Sequence, residues 1–95
     1  MIDTHYTIKA FPDYNLSTLP AIPTDWQDAS WVNDVCPSWQ SGNLMVFIDY
    51  EKMEDREMDI EERYRVSDYE TSDLYLATND WQAVLDYVKT FEMGI

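Results

Sequence analysis

Leu44-Met45-Val46-Phe47-Ile48-Asp49-Tyr50 decides the fold of this chain. The stretch follows the turn pair Gly42-Asn43 and alternates, so that Leu44, Val46, Ile48 and Tyr50 share one face of a strand. The same period governs what comes next. Met58, Ile60, Tyr64 and Val66 fall on even positions, while Glu57, Asp59, Glu61, Arg63 and Arg65 fall on odd ones. A helix would set its apolar residues three and four apart, so alternation predicts a strand over 58–67, paired with 44–50 as a hairpin. Glu62 breaks the parity and marks the place for a bulge. Leu74-Tyr75-Leu76 predicts a third, shorter strand over 74–77.

Outward from this hairpin, Trp81, Val84, Leu85, Val88 and Phe91 recur as a single apolar stripe at helical spacing. Asn79 stands where an N-cap is needed, with Gln82 three residues on and Asp80 in the first turn. Toward the N-terminus, Tyr6, Ile8 and Ala10 alternate with His5, Thr7 and Lys9, which predicts a strand over 4–10. Residues 12–42 contain all four prolines and three of the four tryptophans without period 2 or 3.6, and read as a long aromatic, Pro-rich loop with a helical turn near 28–35. The expectation is one α+β domain spanning residues 1–95: a small antiparallel sheet of about four strands with one C-terminal helix packed on it.

The charge is lopsided. Nineteen Asp and Glu face six Lys and Arg, a net charge of −13 at pH 7. Eleven of those carboxylates lie between Asp49 and Asp73, with only Lys52, Arg56, Arg63 and Arg65 among them. Self-repulsion on this scale opposes folding, so the imbalance points to a surface that competes for something positively charged. A hydrophobic content of 45%, with seven Tyr, four Trp and three Phe, separates the chain from disordered acidic tails. Six basic residues, four of them inside the acidic block, argue against direct grip on nucleic acid, which needs Lys and Arg at the phosphates. Residues 1–5 lack the basic and apolar regions of a signal peptide. No apolar run is long enough for a membrane span, and anionic headgroups would repel this charge. Cys36 is the only cysteine, which excludes an internal disulfide and fits a reducing, cytoplasmic setting.

On an extended strand, residues i and i+2 are separated by roughly 6.8 Å on one side. Glu57, Asp59 and Glu61 would then form a row of carboxylates, flanked by Asp49 and Glu51 of the neighbouring strand. Duplex DNA presents one negative charge per roughly 1.7 Å of axis, and such a row can replace phosphates in a basic cleft. The block has no glycine, which excludes an EF-hand loop, and a single His and a single Cys argue against zinc. Neither His5 nor Cys36 has the company of a nucleophilic site, so no enzymatic activity, cofactor or metal is expected. Trp31 and Trp39 flank Cys36-Pro37 and are candidate binding anchors if exposed, or pins of the loop if buried.

In size, in the Asp49 to Asp73 block, in its compact α+β pattern and in its missing catalytic set, the chain is similar to the small acidic inhibitors of phages and mobile elements. These include anti-CRISPR proteins and other DNA mimics. The resemblance implies a partner with a basic nucleic-acid groove, such as a nucleic-acid-binding protein or complex, and loss of that partner's DNA binding. The residues expected to meet it are Asp49, Glu51, Glu54, Asp55, Glu57, Asp59, Glu61, Glu62 and Asp68, with Trp31 and Trp39 as anchors. Two other readings fit the same composition: an immunity protein or antitoxin neutralising a basic toxin, and an acidic accessory domain whose charge serves solubility.

Overall fold

Leu44–Ile48 is the middle strand of a five-stranded antiparallel sheet. The structure, a computed structural model, describes residues 4–58 and 61–92, excluding the side chain of Glu92. The strands are β1 (Gln27–Asp28), β2 (Ser38–Ser41), β3 (Leu44–Ile48), β4 (Tyr64–Asp68) and β5 (Leu74–Thr78), and they lie side by side in chain order. Helix α1 spans His5–Ala10 and helix α2 spans Trp81–Glu92. This is the expected α+β domain with a C-terminal helix on an antiparallel sheet, built on five strands rather than about four.

Register places the core. Trp39 pairs with Val46, Val46 with Val66, and Val66 with Leu76, so one row of apolar side chains crosses four strands on one face. Leu44, Ile48 and Tyr64 extend that face, and Val84 and Val88 of α2 close over it. Ile22 and Trp26, from the proline-containing segment before β1, complete the cluster. Trp81 ties this segment to the helix: its indole N–H donates to Ala21 O at 3.1 Å, and its ring lies 5.9 Å from Trp26 and 5.0 Å from Tyr64. Trp39 is wholly buried, a contribution on the order of 5 kcal/mol for a side chain of its area. Gly42 and Asn43 join β2 to β3 with positive φ at the glycine only, the demand of a type II′ hairpin turn.

Four expectations are corrected. Residues 5–10 are helical, and the buried side chain there is Thr7, while Tyr6 and Ile8 are exposed. What anchors this segment is polar: Thr7 donates to Asp28 Oδ2 from its backbone N at 2.6 Å and from its hydroxyl at 2.8 Å. Residues 12–42 are not a loop throughout, because they contain β1 and β2 and a 3-10 turn at Leu16–Thr18. The strand expected over 58–67 begins only at Tyr64, and the bulge expected at Glu62 sits instead between Val66 and Ser67 against β5. Ile60 lies outside the described residues. Finally, the cap of α2 is Asp80, whose carboxylate accepts from Gln82 N at 3.1 Å; Asn79 Oδ1 accepts from Arg63 N at 2.8 Å instead.

Candidate partner-binding surface

Between β3 and β4 the chain runs through residues 49–63, which hold eight of the carboxylates and three basic residues. The segment's described residues, 49–58 and 61–63, are irregular but held by side-chain hydrogen bonds, and Asp49 is the first pin. This side chain is wholly buried, and its carboxylate accepts from the backbone N–H groups of Tyr50 (2.8 Å), Glu57 (3.1 Å) and Met58 (2.9 Å). Local side-chain acceptors of this kind compete with a strand ladder for the amides. The β3–β4 pairing therefore stops after Asp49 N donates to Arg63 O, and Glu57 is not part of a strand.

Arginines are the second and third pins. The Arg56 guanidinium donates to three backbone carbonyls, Tyr50 O at 3.0 Å, Glu51 O at 3.1 Å and Glu61 O at 2.6 Å, drawing both ends of the connection together. Buried Arg63 donates from Nε to Asp49 O at 2.9 Å and from Nη2 to Thr18 O at 3.1 Å and the Tyr14 hydroxyl at 3.0 Å. The Tyr14 hydroxyl in turn donates to Asp49 O at 2.9 Å. Burial raises the Tyr14 phenol above its ordinary value against the lowering effect of Arg63. Tyr50 is pushed up to about 12, first by burial, then by Asp13 and Glu57 nearby.

The consequence is electrostatic. Two of the three basic residues in the connection spend their hydrogen bonds on backbone carbonyls and leave the carboxylates without them. Glu51, Glu54, Asp55, Glu57 and Glu61 are exposed and Glu62 is half-buried, and none forms an ion pair among the described residues. Met53–Asp55 is a 3-10 turn that sets Glu54 and Asp55 side by side in its length. Of the expected row Glu57–Asp59–Glu61, Glu57 and Glu61 are exposed and lie outside any strand, and Asp59 lies outside the described residues.

The remaining site residues are dispersed. Asp68 ends β4, and its carboxylate accepts from Glu70 N (2.8 Å), Thr71 N (2.9 Å), Asn43 Nδ2 (3.0 Å) and the Tyr75 hydroxyl (2.8 Å). The bond from the Thr71 amide, then that from Tyr75, hold this carboxyl below its usual range. Asp49 and Asp68 thus organise backbone rather than an outer surface. Trp39 is at the centre of the core, whereas Trp31 is 58% exposed on the loop between β1 and β2, beside Val32 and Val35. Cys36 is buried, and burial pushes its thiol well up from its ordinary value, with Asp49 adding to the effect. Among the described residues, no group of three His, Cys, Asp or Glu side chains is arranged to hold a metal ion, and no helix is long and apolar enough to cross a membrane.

Sequence reasoning counted Arg56 and Arg63 as partial neutralisers of the block and missed them as its scaffold. Their placement within a run of acids was visible; their choice of carbonyl partners was not. Comparison with protein-family models, with curated proteins and with solved structures finds no match to this chain.

Proposed function

We propose that the protein is a non-enzymatic inhibitor that docks its acidic 49–63 connection onto the basic nucleic-acid-binding surface of a target protein or complex. One observation supports this reading above the rest. Arg56 and Arg63 hold the connection by its backbone, so Glu51, Glu54, Asp55, Glu57 and Glu61 face solvent as carboxylates with no ion pair among the described residues. A plain solubilising surface has no use for such a hold, since flexible acids hydrate equally well. A partner-reading surface gains from it, because carboxylates held in place lose less conformational entropy on docking. The target is a Lys- and Arg-rich groove, and association is fast and salt-sensitive.

Displacement of nucleic acid tests the proposal. The protein is used as bait in a lysate at low salt, and the captured complex is then challenged with its own DNA or RNA. The expected result is mutually exclusive binding: the protein releases the nucleic acid, and excess nucleic acid releases the protein. Capture of a partner that binds nucleic acid and this protein at once would contradict the proposal.

A further inference from the structure

Alternation along β3 and β4 leaves a second face of the sheet, opposite α2. Ser38, Phe47, Arg65 and Ala77 form a cross-strand row there, from β2 to β5. A groove of about 570 Å³ opens over this face, within the usual size of small-molecule sites. Val35, Met45, Phe47 and Leu74 supply its apolar walls, and Arg65 is the one basic lining residue among the described residues.

Arg65 stands apart from the other two arginines. Arg56 makes three hydrogen bonds and Arg63 five, whereas the Arg65 guanidinium meets no hydrogen-bond acceptor among the described residues. Its Nε is buried and unpartnered, as is Ser38 Oγ in the same row. The side chain is held instead over the Phe47 ring, with Cζ 4.8 Å from the ring centroid. A guanidinium offers hydrogen bonds only around its edge, in its own plane, the geometry that matches a carboxylate. A half-buried cation with unused donors beside an apolar wall is costly unless something answers it.

We propose that this groove is a binding site for a small monocarboxylate with an apolar body, the carboxylate taken by Arg65 and the body by Met45, Phe47 and Leu74. Charge sets the selectivity. Asp34 and Asp68 line the same groove and oppose any anion, a doubly charged one about twice as strongly, so phosphate esters and dicarboxylates are disfavoured relative to a monocarboxylate paired with Arg65. The site shares neither residues nor chemistry with the acidic connection.

The test is an NMR titration of the intact chain with indole-3-acetate, its neutral amide indole-3-acetamide, and phenyl phosphate. Saturable shifts at Met45, Phe47, Arg65 and Leu74 are expected with indole-3-acetate, at a dissociation constant of ~1 mM or tighter. The amide and the phosphate should bind about tenfold more weakly. In Arg65→Met, with its spectrum otherwise unchanged, indole-3-acetate should lose about tenfold in affinity, and Arg65→Lys should recover part of it. No saturable shift, equal binding of acid and amide, or shifts confined to other faces would overturn the proposal. The acid, amide and phosphate comparison uses the native chain and stands even if an Arg65 variant fails to fold.

Discussion

Asp49 gathers three backbone N–H groups onto one buried carboxylate and so sets the path of the chain from Tyr50 to Met58 after β3. In the sequence it is one acid among eleven, and nothing in its neighbours separates it from Glu51 or Glu54. Burial is the difference, and burial is a property of the folded chain. Asp49→Ala strands three amides without an acceptor, two of them eight and nine residues on, at Glu57 and Met58. The expected loss in urea unfolding is about 3–5 kcal/mol, since hydrogen bonds to a charged acceptor are worth about 1.5–3 kcal/mol each and are not fully additive. Asp49→Asn keeps one acceptor oxygen and should lose less. A loss below about 1 kcal/mol in Asp49→Ala would contradict the pinning role. Trp39 teaches the same lesson from the other side: its chemistry suited an anchor or a core residue equally, and only its register opposite Val46 assigns it to the core.

At the scale of elements, legibility followed periodicity. β3, β5 and α2 carry their own pattern over five, five and twelve residues, and the sequence alone locates them. β1 and β2 have two and four residues, with Gln27, Ser38, Gln40 and Ser41 among them, and exist as strands only because β3 offers an edge to pair with. Alternation misled in two places. Over residues 57–63 it matched a strand, but the Asp49 carboxylate took the amides of Glu57 and Met58, and the Arg56 guanidinium took the carbonyl of Glu61. Over residues 5–10 it was coincidental, and the Thr7–Asp28 bonds hold the segment as a helix. The cap of α2 is a sharper case, because Asn79 and Asp80 are both good caps by type. Asp80→Ala should destabilise the protein by about 1 kcal/mol through the lost bond to Gln82 N. Asn79→Ala acts elsewhere, by freeing Arg63 N in the knot that holds the acidic connection. Thermal unfolding with helix content followed at 222 nm separates the two. Equal loss of helix content at the α2 terminus from both variants would contradict the assignment of the cap.

The whole molecule sorts its charges by use. Arg56 and Arg63 work inward on backbone oxygens, Arg65 lies over Phe47, and Glu51, Glu54, Asp55, Glu57 and Glu61 of the 49–63 connection remain outside. The acidic count was plain in the sequence; the division between structural acids, Asp28, Asp49 and Asp68, and exposed ones was not. Such a molecule has a long-range negative field with few local cations to quench it, which favours rapid encounter with a basic groove. The central claim is that this exposed set is what a partner reads. The most direct measurement is the affinity for the captured partner as a function of salt, for the native chain and for Glu54→Lys/Glu57→Lys/Glu61→Lys. The native chain should weaken steeply as salt rises from about 50 to 300 mM. The triple variant should bind roughly a hundredfold more weakly at the low end, with little salt dependence left. Native-like affinity and an unchanged salt slope in the triple variant would contradict the account.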